Sequence, residues 1–375
     1  MLTERADRRR IGTIGGMGMS RAMEKSWMRI ALAAIVLAAV CPPLLSGGTQ
    51  LSAFFFGGAA QAGFFPAQQE EARVLIPGGQ ALGVALRTHG VMVVAKPEDT
   101  AAGSALRVGD VILTVGGQVV DSAKALSAQL GAQQTDEVTL GIRRGSREME
   151  VGVSAPADAA GGARRLGVWV RDSTAGVGTL TYVDPATGAY GALGHAIIDA
   201  DTGALLEAAE GAVMTADIVG VTRGERGKAG ELRGSFLKEN RQIGTLALNS
   251  ERGIYGVLHE QMENALYPQG LPVGDAQQVH PGEATILSTV TVGGMQAYAI
   301  EIVRVFPKGM SGGKDMIIRV TDERLLAATG GIVQGMSGSP IIQDGKLIGA
   351  VTHVLVNDPT RGYGIFIENM LDAAG

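Results

Sequence analysis

The chain has 375 residues and a formal net charge of −5, a length that suggests two modest domains with additional segments. No basic patch of the kind that nucleic-acid binding requires stands out, so we expect no nucleic-acid partner. The single cysteine, Cys41, excludes an intramolecular disulfide and a thiolate metal cluster. Glycine is frequent, at 56 residues. Its short pairs lie between β-branched runs, which predicts many tight turns between strands.

The N-terminus carries a targeting signal. Seven Arg and Lys residues lie within residues 1–29, and an apolar run follows at residues 30–46. Positive charge before an apolar run keeps the N-terminus inside and sends the rest of the chain across the membrane. We therefore predict a basic cytoplasmic head (1–29), a signal sequence or membrane anchor (30–46) and a linker (47–72). Cleavage after Ala62 and retention as an anchor both remain open, and the folded part is expected outside the cytoplasmic membrane.

Short strands dominate the next segment, residues 73–155. A helix is predicted at residues 122–130, and a hairpin turns around Gly145. Two pieces stand out, Leu82-Gly83-Val84 and Ala105-Leu106-Arg107-Val108-Gly109-Asp110-Val111-Ile112, and with them the segment resembles a PDZ domain. The resemblance implies that Leu82, Gly83 and Val84 form a loop whose amides bind a peptide terminus, while the peptide adds to a sheet edge as a strand.

Residues 162–375 follow as a second domain. The pattern is one strand after another, separated by Gly, Asp-Pro and Asn turns, and helices are predicted only at residues 322–329 and 368–374. This predicts a mainly β chain in which the PDZ-like domain precedes an antiparallel β domain of barrel type.

The sharpest motif of the second domain is Gly335-Met336-Ser337-Gly338-Ser339-Pro340. A serine flanked by glycines and followed by an apolar hairpin is how chymotrypsin-like peptidases present their nucleophile. The small neighbours expose the hydroxyl of Ser337 and let the amides of Gly335 and Ser337 converge as an oxyanion hole. Ser339 is the competing nucleophile, but Pro340 beside it has no amide hydrogen.

A serine nucleophile needs a base. Of five histidines, His195 is favoured because Gly194 and other small residues surround it, as expected where a substrate approaches an imidazole. It also lies early in the β domain, so that base and nucleophile come from opposite halves. His353 is the second candidate. For the carboxylate that orients the base, spacing does not choose among Asp199, Asp201, Asp217, Asp275, Asp315, Asp322 and Asp358.

The Ser337 motif, the Gly-Ala-Leu-Gly-His run that ends at His195 and the PDZ-like segment together resemble the stage IV sporulation protein B (SpoIVB) serine peptidase family. The resemblance extends over residues 76–371. It implies a trypsin-like double β-barrel and a triad of His195, Asp322 and Ser337, with no cofactor and no metal.

The family resemblance also implies a role. Such an enzyme is exported, cleaves its own N-terminal region and then a membrane-bound regulator of an intramembrane protease, in the forespore intermembrane space during sporulation. Two alternatives remain open from the residues: a general envelope quality-control protease, and a non-catalytic envelope scaffold with a PDZ domain.

Overall fold

The computed structural model describes residues 73–97, 105–157, 164–235, 241–309 and 312–375. The predicted basic head, apolar run and linker, residues 1–72, lie outside the described residues. Within these described ranges, no helix is both long enough and apolar enough to cross a membrane. The described chain is mainly β, as the sequence predicts.

Twenty strands and three α-helices make up the part of the chain that the structure describes. The first strands are β1 (Val74–Pro77), β2 (Ala81–Ala95), β3 (Val111–Val115), β4 (Gln118–Val119), β5 (Glu137–Arg144), β6 (Arg147–Ser154), β7 (Trp169–Val183), β8 (Ala189–Ala192), β9 (Ala208–Thr215) and β10 (Asp217–Thr222). The others are β11 (Glu231–Ser235), β12 (Gln242–Ser250), β13 (Gly253–Leu258), β14 (Leu271–Pro272), β15 (Gly282–Thr289), β16 (Met295–Val305), β17 (Met316–Val320), β18 (Pro340–Gln343), β19 (Lys346–Val354) and β20 (Arg361–Phe366). The helices are α1 (Ala123–Gly131), α2 (Glu323–Thr329) and α3 (Ile367–Ala374), and a 3-10 turn covers Ala276–Gln278.

The C-terminal strands form a closed barrel. Six strands pair in the order β15-β16-β17-β20-β19-β18, and β18 pairs with β15 to close the ring. Buried Ile, Val, Met and Phe side chains fill its interior, because alternate residues of a barrel strand point inward. The helix α2 follows β17, and Gly330 ends it in the left-handed conformation. The barrel predicted from the sequence is confirmed for this half.

A second ring of six strands lies earlier in the chain. Its order is β2-β7-β8-β13-β12-β9, and the pairing of β2 with both β7 and β9 closes it. A separate apolar core of Leu, Val and Ile side chains fills this ring. The strand β1 pairs with the end of β7 and so belongs to the same half. This part of the chain is therefore built from two barrels with separate cores.

The PDZ domain is inserted between the first two strands of this first barrel. The strand β2 is paired with barrel strands as far as Thr88, and β7 is paired within the barrel from Ser173 onward. Between these points the sheet of the inserted domain runs β7-β2-β3-β5-β6. The helix α1, capped by Ser122, packs its Leu126 and Leu130 on the core of this domain.

Strand pairing corrects the predicted start of the PDZ-like domain at residue 73. The strand β1 and the first half of β2 pair with barrel strands, not with the PDZ sheet. The physical reason is that β2 is a single strand of 15 residues that serves both domains. No turn or linker therefore marks the boundary in the sequence.

Candidate active site

The nucleophile candidate lies in a tightly turning loop before β18. Gly335 and Gly338, on either side of Ser337, both have φ of 96°, which residues with a side chain rarely adopt. A Cβ on Gly338 would lie 2.1 Å from the carbonyl oxygen of Thr179 and 2.5 Å from the amide nitrogen of Leu193. Glycine at this position therefore lets the first barrel pack directly against the loop that carries Ser337.

The two serines of this loop have different surroundings. Ser337 donates its hydroxyl to the carbonyl oxygen of Thr352 over 2.8 Å, at the edge of a pocket. Ser339 is fully buried and donates to the hydroxyl of Ser288 over 3.1 Å. A hydroxyl held in the barrel core does not meet a substrate, so the geometry favours Ser337 as the nucleophile.

The amides predicted to form the oxyanion hole are available. The neighbouring N–H groups of Met336, Gly338 and Ser339 all donate to backbone carbonyls. Of the residues that the structure describes, none accepts a hydrogen bond from the N–H of Gly335 or of Ser337. Stabilisation of a tetrahedral oxyanion requires such donors, because their bonds then form only with the reacting group.

His195 follows β8 in a strained turn. Leu193 and Gly194 both have φ of 68°, and for a leucine this conformation costs about 1–2 kcal/mol. A Cβ on Gly194 would lie 2.9 Å from Cγ2 of Thr352, the residue whose carbonyl holds the Ser337 hydroxyl. The turn therefore brings the histidine of the first barrel against the second barrel, close to the nucleophile.

A side chain at the end of β12 holds the loop after His195. Asn249 accepts from the N–H of Ile197 and donates to the carbonyl oxygens of Ile197 and Leu206, each over 2.8 Å. Asn249 is buried, so loss of these bonds would leave polar groups unpaired at a cost of about 1–3 kcal/mol each. The position of His195 thus depends on a residue far from it in sequence.

The His195 ring presents a free nitrogen. Its Nδ1 lies 2.8 Å from the carbonyl oxygen of Ala196. A carbonyl only accepts, so Nδ1 carries the hydrogen and Nε2 keeps its lone pair. Burial lowers the pKa of His195 below its ordinary value of 6.5. The ring is therefore neutral at neutral pH, as a general base must be.

His353 lies in the same pocket. Its ring centroid is 5.0 Å from that of His195, and the planes are inclined by 38°. Burial, followed by the charges of His195 and Lys314, lowers the pKa of His353 to about 4. A base with this pKa has little driving force to remove a serine proton at neutral pH. We therefore retain His195 as the base and regard His353 as a neighbour that packs beside it.

These groups line one pocket of about 750 Å³. The second barrel contributes Ser337, Thr352 and His353, and the first contributes His195, Glu251 and Val177. The two halves of the chemistry therefore come from two different barrels, as expected from the 142 residues that separate His195 from Ser337.

The structure contradicts the predicted role of Asp322. Its carboxylate accepts from the N–H groups of Arg324, Leu325 and Ala299 and pairs with the Arg324 guanidinium at 2.7 Å. These contacts, that with Arg324 foremost, lower the pKa of Asp322 to about 2. Among the described residues, no hydrogen bond or ion pair joins Asp322 to His195. Its carboxylate caps helix α2 instead, which satisfies the orphan amides of the first turn.

The other aspartates considered from the sequence do not line the pocket either. Asp199 is buried against Arg171, which also pairs with Asp201. Asp315 is buried and accepts from Asn369 over 2.6 Å. The remaining three are absent from the described lining of the pocket: Asp217, Asp275 and Asp358.

Glu251 is the carboxylate that the sequence analysis missed. Among the described lining residues it is the only acidic one, and it lies in the turn between β12 and β13. This turn flanks the histidine: Asn249 holds Ile197, and a Cβ on Gly253 would lie 3.4 Å from the amide nitrogen of Gly194. The available signal was a Glu-Arg-Gly turn between two strands of the same half as His195.

The predicted peptide-binding residues Leu82, Gly83 and Val84 lie inside the first barrel. All three are buried, and β2 is paired on both edges, so that Gly83 is opposite Val177 of β7 and Met214 of β9. A strand with both edges paired offers no backbone groups to an added peptide. The prediction of a peptide-binding loop here is therefore wrong.

A second Leu-Gly-Val triplet occupies the entrance to β7. In Leu166-Gly167-Val168 the leucine is buried in the core of the inserted domain and the glycine has φ of 72°. Just before it, Arg164 donates to the carbonyl oxygen of Gln133, next to the end of α1. The sequence contains both Leu-Gly-Val triplets, but only the fold shows which of them begins a strand at the edge of the PDZ sheet.

Comparison with protein families matches both domains. A model described as SpoIVB peptidase S55 matches residues 162–371, more than half of the 375 residues. A model described as PDZ domain matches residues 80–154. Both resemblances drawn from the motifs are therefore confirmed. No curated protein matches the chain.

Solved structures that resemble parts of this chain include two proteases and one PDZ domain. The active form of Rv3671c protease from M. tuberculosis is 17% identical, with 54% of this chain and 75% of that chain covered and a TM-score of 0.32. An HtrA-type protease, AlgW with decapeptide, is 10% identical over 79% of this chain and 63% of that one, with a TM-score of 0.32. The PDZ domain of an SdrC-like protein from Listeria monocytogenes is 19% identical over 22% of this chain and 87% of that one, with a TM-score of 0.20. At these TM-scores the likenesses support no inference about function.

Proposed function

We propose that this chain, which belongs to the SpoIVB peptidase S55 family and is a serine peptidase, cleaves polypeptides through an acyl-enzyme on Ser337. One observation carries the assignment of residues. The Ser337 hydroxyl, the free amides of Gly335 and Ser337 and the neutral ring of His195 all converge on a single pocket. This is the set of groups that acyl transfer needs: a nucleophile, a base and oxyanion donors.

The reaction begins with a rotation of the serine. Its hydroxyl leaves the carbonyl oxygen of Thr352 and turns toward Nε2 of His195, which accepts the proton while Oγ attacks the substrate carbonyl carbon. The amides of Gly335 and Ser337 bind the oxyanion as it forms. The imidazolium then returns its proton to the leaving amine, and a water molecule releases the acyl group by the same steps.

Glu251 supports the charged form of the base. Because Glu251 lines the pocket that holds His195, its negative charge favours the imidazolium by Coulomb attraction. The carbonyl oxygen of Ala196 already holds the Nδ1 hydrogen. We therefore assign the tautomer to this carbonyl and the charge stabilisation to Glu251.

The proposed site of action is outside the cytoplasmic membrane. The basic head followed by the apolar residues 30–46 supports export, since positive charge is retained inside. Membership of the SpoIVB family supports a role in sporulation, in which the enzyme cleaves its own N-terminal region and a membrane-bound regulator of an intramembrane protease. The presence of a PDZ domain supports protein or peptide substrates.

Labelling with a fluorophosphonate probe tests the catalytic assignment. The reagent reacts only with an activated serine, and we expect mass spectrometry to find it on Ser337 in the wild type and nowhere in Ser337→Ala. Label on Ser339, or none in a folded protein that has been exported, would contradict the assignment.

Comparison of mature N-termini tests self-cleavage. We expect the mature wild-type protein to begin between Gly47 and Arg73. We expect Ser337→Ala to retain the full-length N-terminus. An identical mature end near Ala62 in both proteins would assign the cut to a signal peptidase and remove self-processing from the proposal.

A further inference from the structure

We infer that β7 is a substrate track: a polypeptide binds along its outer edge with a free C-terminal carboxylate at Leu166-Gly167-Val168, and is cut roughly ten residues before that terminus. The outer edge is the side of residues 169–178 that faces away from β2. This inference rests on the proposed function, because it names the substrate class of the same pocket.

The outer edge of β7 is unpaired over most of its length. Its inner edge pairs with β2 from Trp169 to Thr179. On the other side, β8 joins only from Leu180 onward. Within the described ranges, no strand pairs with the outer edge between Trp169 and Gly178. An unpaired edge of this length is a template on which an extended peptide can add as a strand.

The hydrogen-bond alternation shows which groups this edge presents. Leu180 donates its N–H to the carbonyl oxygen of Gln80, on the inner side. Thr179 bonds on the opposite side. Because backbone groups of alternate residues in a strand point to the same side, Val177, Ala175 and Ser173 direct their N–H and C=O groups outward.

One end of the outer edge of β7 lies beside the nucleophile. The outward groups of Thr179 are already bonded to the catalytic loops: its N–H donates to the carbonyl oxygen of Ser337, and its carbonyl oxygen accepts from the N–H of Leu193. Ala175 and Val177, the next outward residues, line the catalytic pocket. A strand that pairs with them therefore has its first residues beside Ser337.

The other end suits a carboxylate. Gly167 is in the left-handed conformation, and no described residue accepts from the N–H groups of Leu166, Gly167 or Val168. Successive free amides around such a residue form an anion-binding concavity. Arg165, next to this loop, is exposed and brings positive charge. Val168 and Val170 pack on the core of the inserted domain, which favours an apolar last residue.

The direction and the length of a peptide bound along β7 are consistent with contact at both ends. An antiparallel partner that ends at the start of β7 runs from the pocket toward the loop, so that the part lying on β7 is C-terminal to the scissile bond. Val168 and Gly178 are ten positions apart in the sequence, roughly 33 Å of strand. A substrate that spans both sites therefore carries about ten residues after the bond that Ser337 attacks.

The test uses the full chain and a mixture of synthetic 24-residue peptides with randomised sequence, made once as free acids and once as C-terminal amides. Cleavage sites are mapped by mass spectrometry. We expect cuts in the free acids to cluster about ten residues from the C-terminus. We expect amidation to disperse the cuts and to lower kcat/KM about tenfold, since the carboxylate loses its charge-assisted bonds.

Matched charge reversals separate the loop from the domain surface. Arg165→Glu should raise KM about tenfold for free acids, leave kcat unchanged and leave the amides unaffected. Arg147→Glu, an exposed position on the β6 side of the same domain, should change none of these values. Equal thermal unfolding of both variants shows that the fold is retained.

The outcomes distinguish this inference from the proposed function. Cuts placed without regard to the C-terminus, or equal cleavage of acids and amides, overturn the track while leaving the peptidase intact. No cleavage of any peptide, together with no fluorophosphonate label on Ser337, overturns the proposed function and the track with it.

Discussion

The two barrels of this peptidase are assembled differently from the chain. The second barrel uses six strands in an uninterrupted run, from β15 to β20, and its nucleophile loop directly precedes one of them. The first collects its six strands from residues 81–258 and contains the whole PDZ domain between β2 and β7. The hydroxyl of Ser337 is therefore held by its own barrel, at Thr352, whereas His195 depends on a turn of strained residues and on the distant Asn249.

The catalytic pocket combines the Ser337 loop of one barrel with a strand, β7, that is shared with the PDZ sheet. The loop of Ser337 belongs to the second barrel but is also bonded to the first, because Thr179 donates its N–H to the carbonyl oxygen of Ser337 and its hydroxyl to that of Gly335. The wall of the pocket contributed by β7 is continuous with the PDZ sheet. The PDZ part of that strand and the wall of the catalytic pocket are therefore joined by backbone, without a linker.

The largest effect is expected at the nucleophile of the second barrel. Ser337→Ala should lower kcat by roughly 10⁴-fold or more, because the covalent step is lost. Peptide hydrolysis measures the loss, and thermal unfolding should be nearly unchanged. Ser339→Ala is the matched control: it should keep activity and lose stability, since it leaves Ser288 unpaired in the core. The reverse pattern would exchange their roles.

The second largest effect on kcat is expected at the base of the first barrel, His195. His195→Ala should lower kcat by about 10²–10⁴-fold, the usual contribution of general base catalysis, and His353→Ala by less than about tenfold. In wild type, kcat/KM should fall on the acidic side at a pH below 6.5, because burial lowers the pKa of His195 and protonation removes the base. An acid limb above 6.5, or equal losses in both variants, would contradict this assignment.

Three carboxylate variants sharpen the comparison between barrels. Glu251→Gln should lower kcat up to about tenfold with KM unchanged, because it removes an exposed charge that favours the imidazolium. Glu251→Asp should restore part of the activity. Asp322→Asn should keep kcat, since Asp322 caps α2. Steady-state kinetics of the three variants decide, and loss of kcat in Asp322→Asn with an intact fold would return Asp322 to the catalytic site.

The smallest effect concerns stability in acid. Asp322 has a pKa of about 2 in the folded chain against an ordinary 3.8, so its stabilisation is complete above about pH 4 and is lost as pH falls toward 2. Asp322→Ala should lower the free energy of unfolding by about 1 kcal/mol at neutral pH. The difference from wild type should shrink below pH 4. A constant difference across this range, measured by urea unfolding, would show that the charge is not involved.

The sequence predicted the features that depend on local chemistry. The loop around Ser337 and the turn before His195 need glycine where the backbone is left-handed or where another barrel approaches closely, and both positions are visible as Gly-rich motifs. Helices α1 and α2 were also predicted, and the structure shows that Ser122 and Asp322 cap them by accepting from the first free amides.

The errors at Leu82-Gly83-Val84 and Glu251 involve contacts between distant segments, whereas the error at Asp322 involves a local helix cap. Leu82-Gly83-Val84 has the sequence of a PDZ carboxylate-binding loop. However, β7 and β9 pair with its two edges, and neither strand is near it in sequence. Asp322 stands at the spacing that the family implies for a triad member, yet Arg324 and the amides of α2 hold both its oxygens. Glu251 was not considered, since nothing local marks it as a neighbour of His195.

The sequence by itself therefore determined the glycine-rich turns that carry Ser337 and His195 and the two kinds of domain, because backbone constraints act within a few residues. Only the tertiary structure decided that the PDZ domain interrupts a barrel, which Leu-Gly-Val triplet stands at an open strand edge and which carboxylate shares the pocket. These depend on contacts across more than 50 residues, such as the hydrogen bond of the Asn249 side chain with Ile197 or the pairing of β2 with β7. Pairing of that kind is selected by the burial of whole faces, which no short motif records.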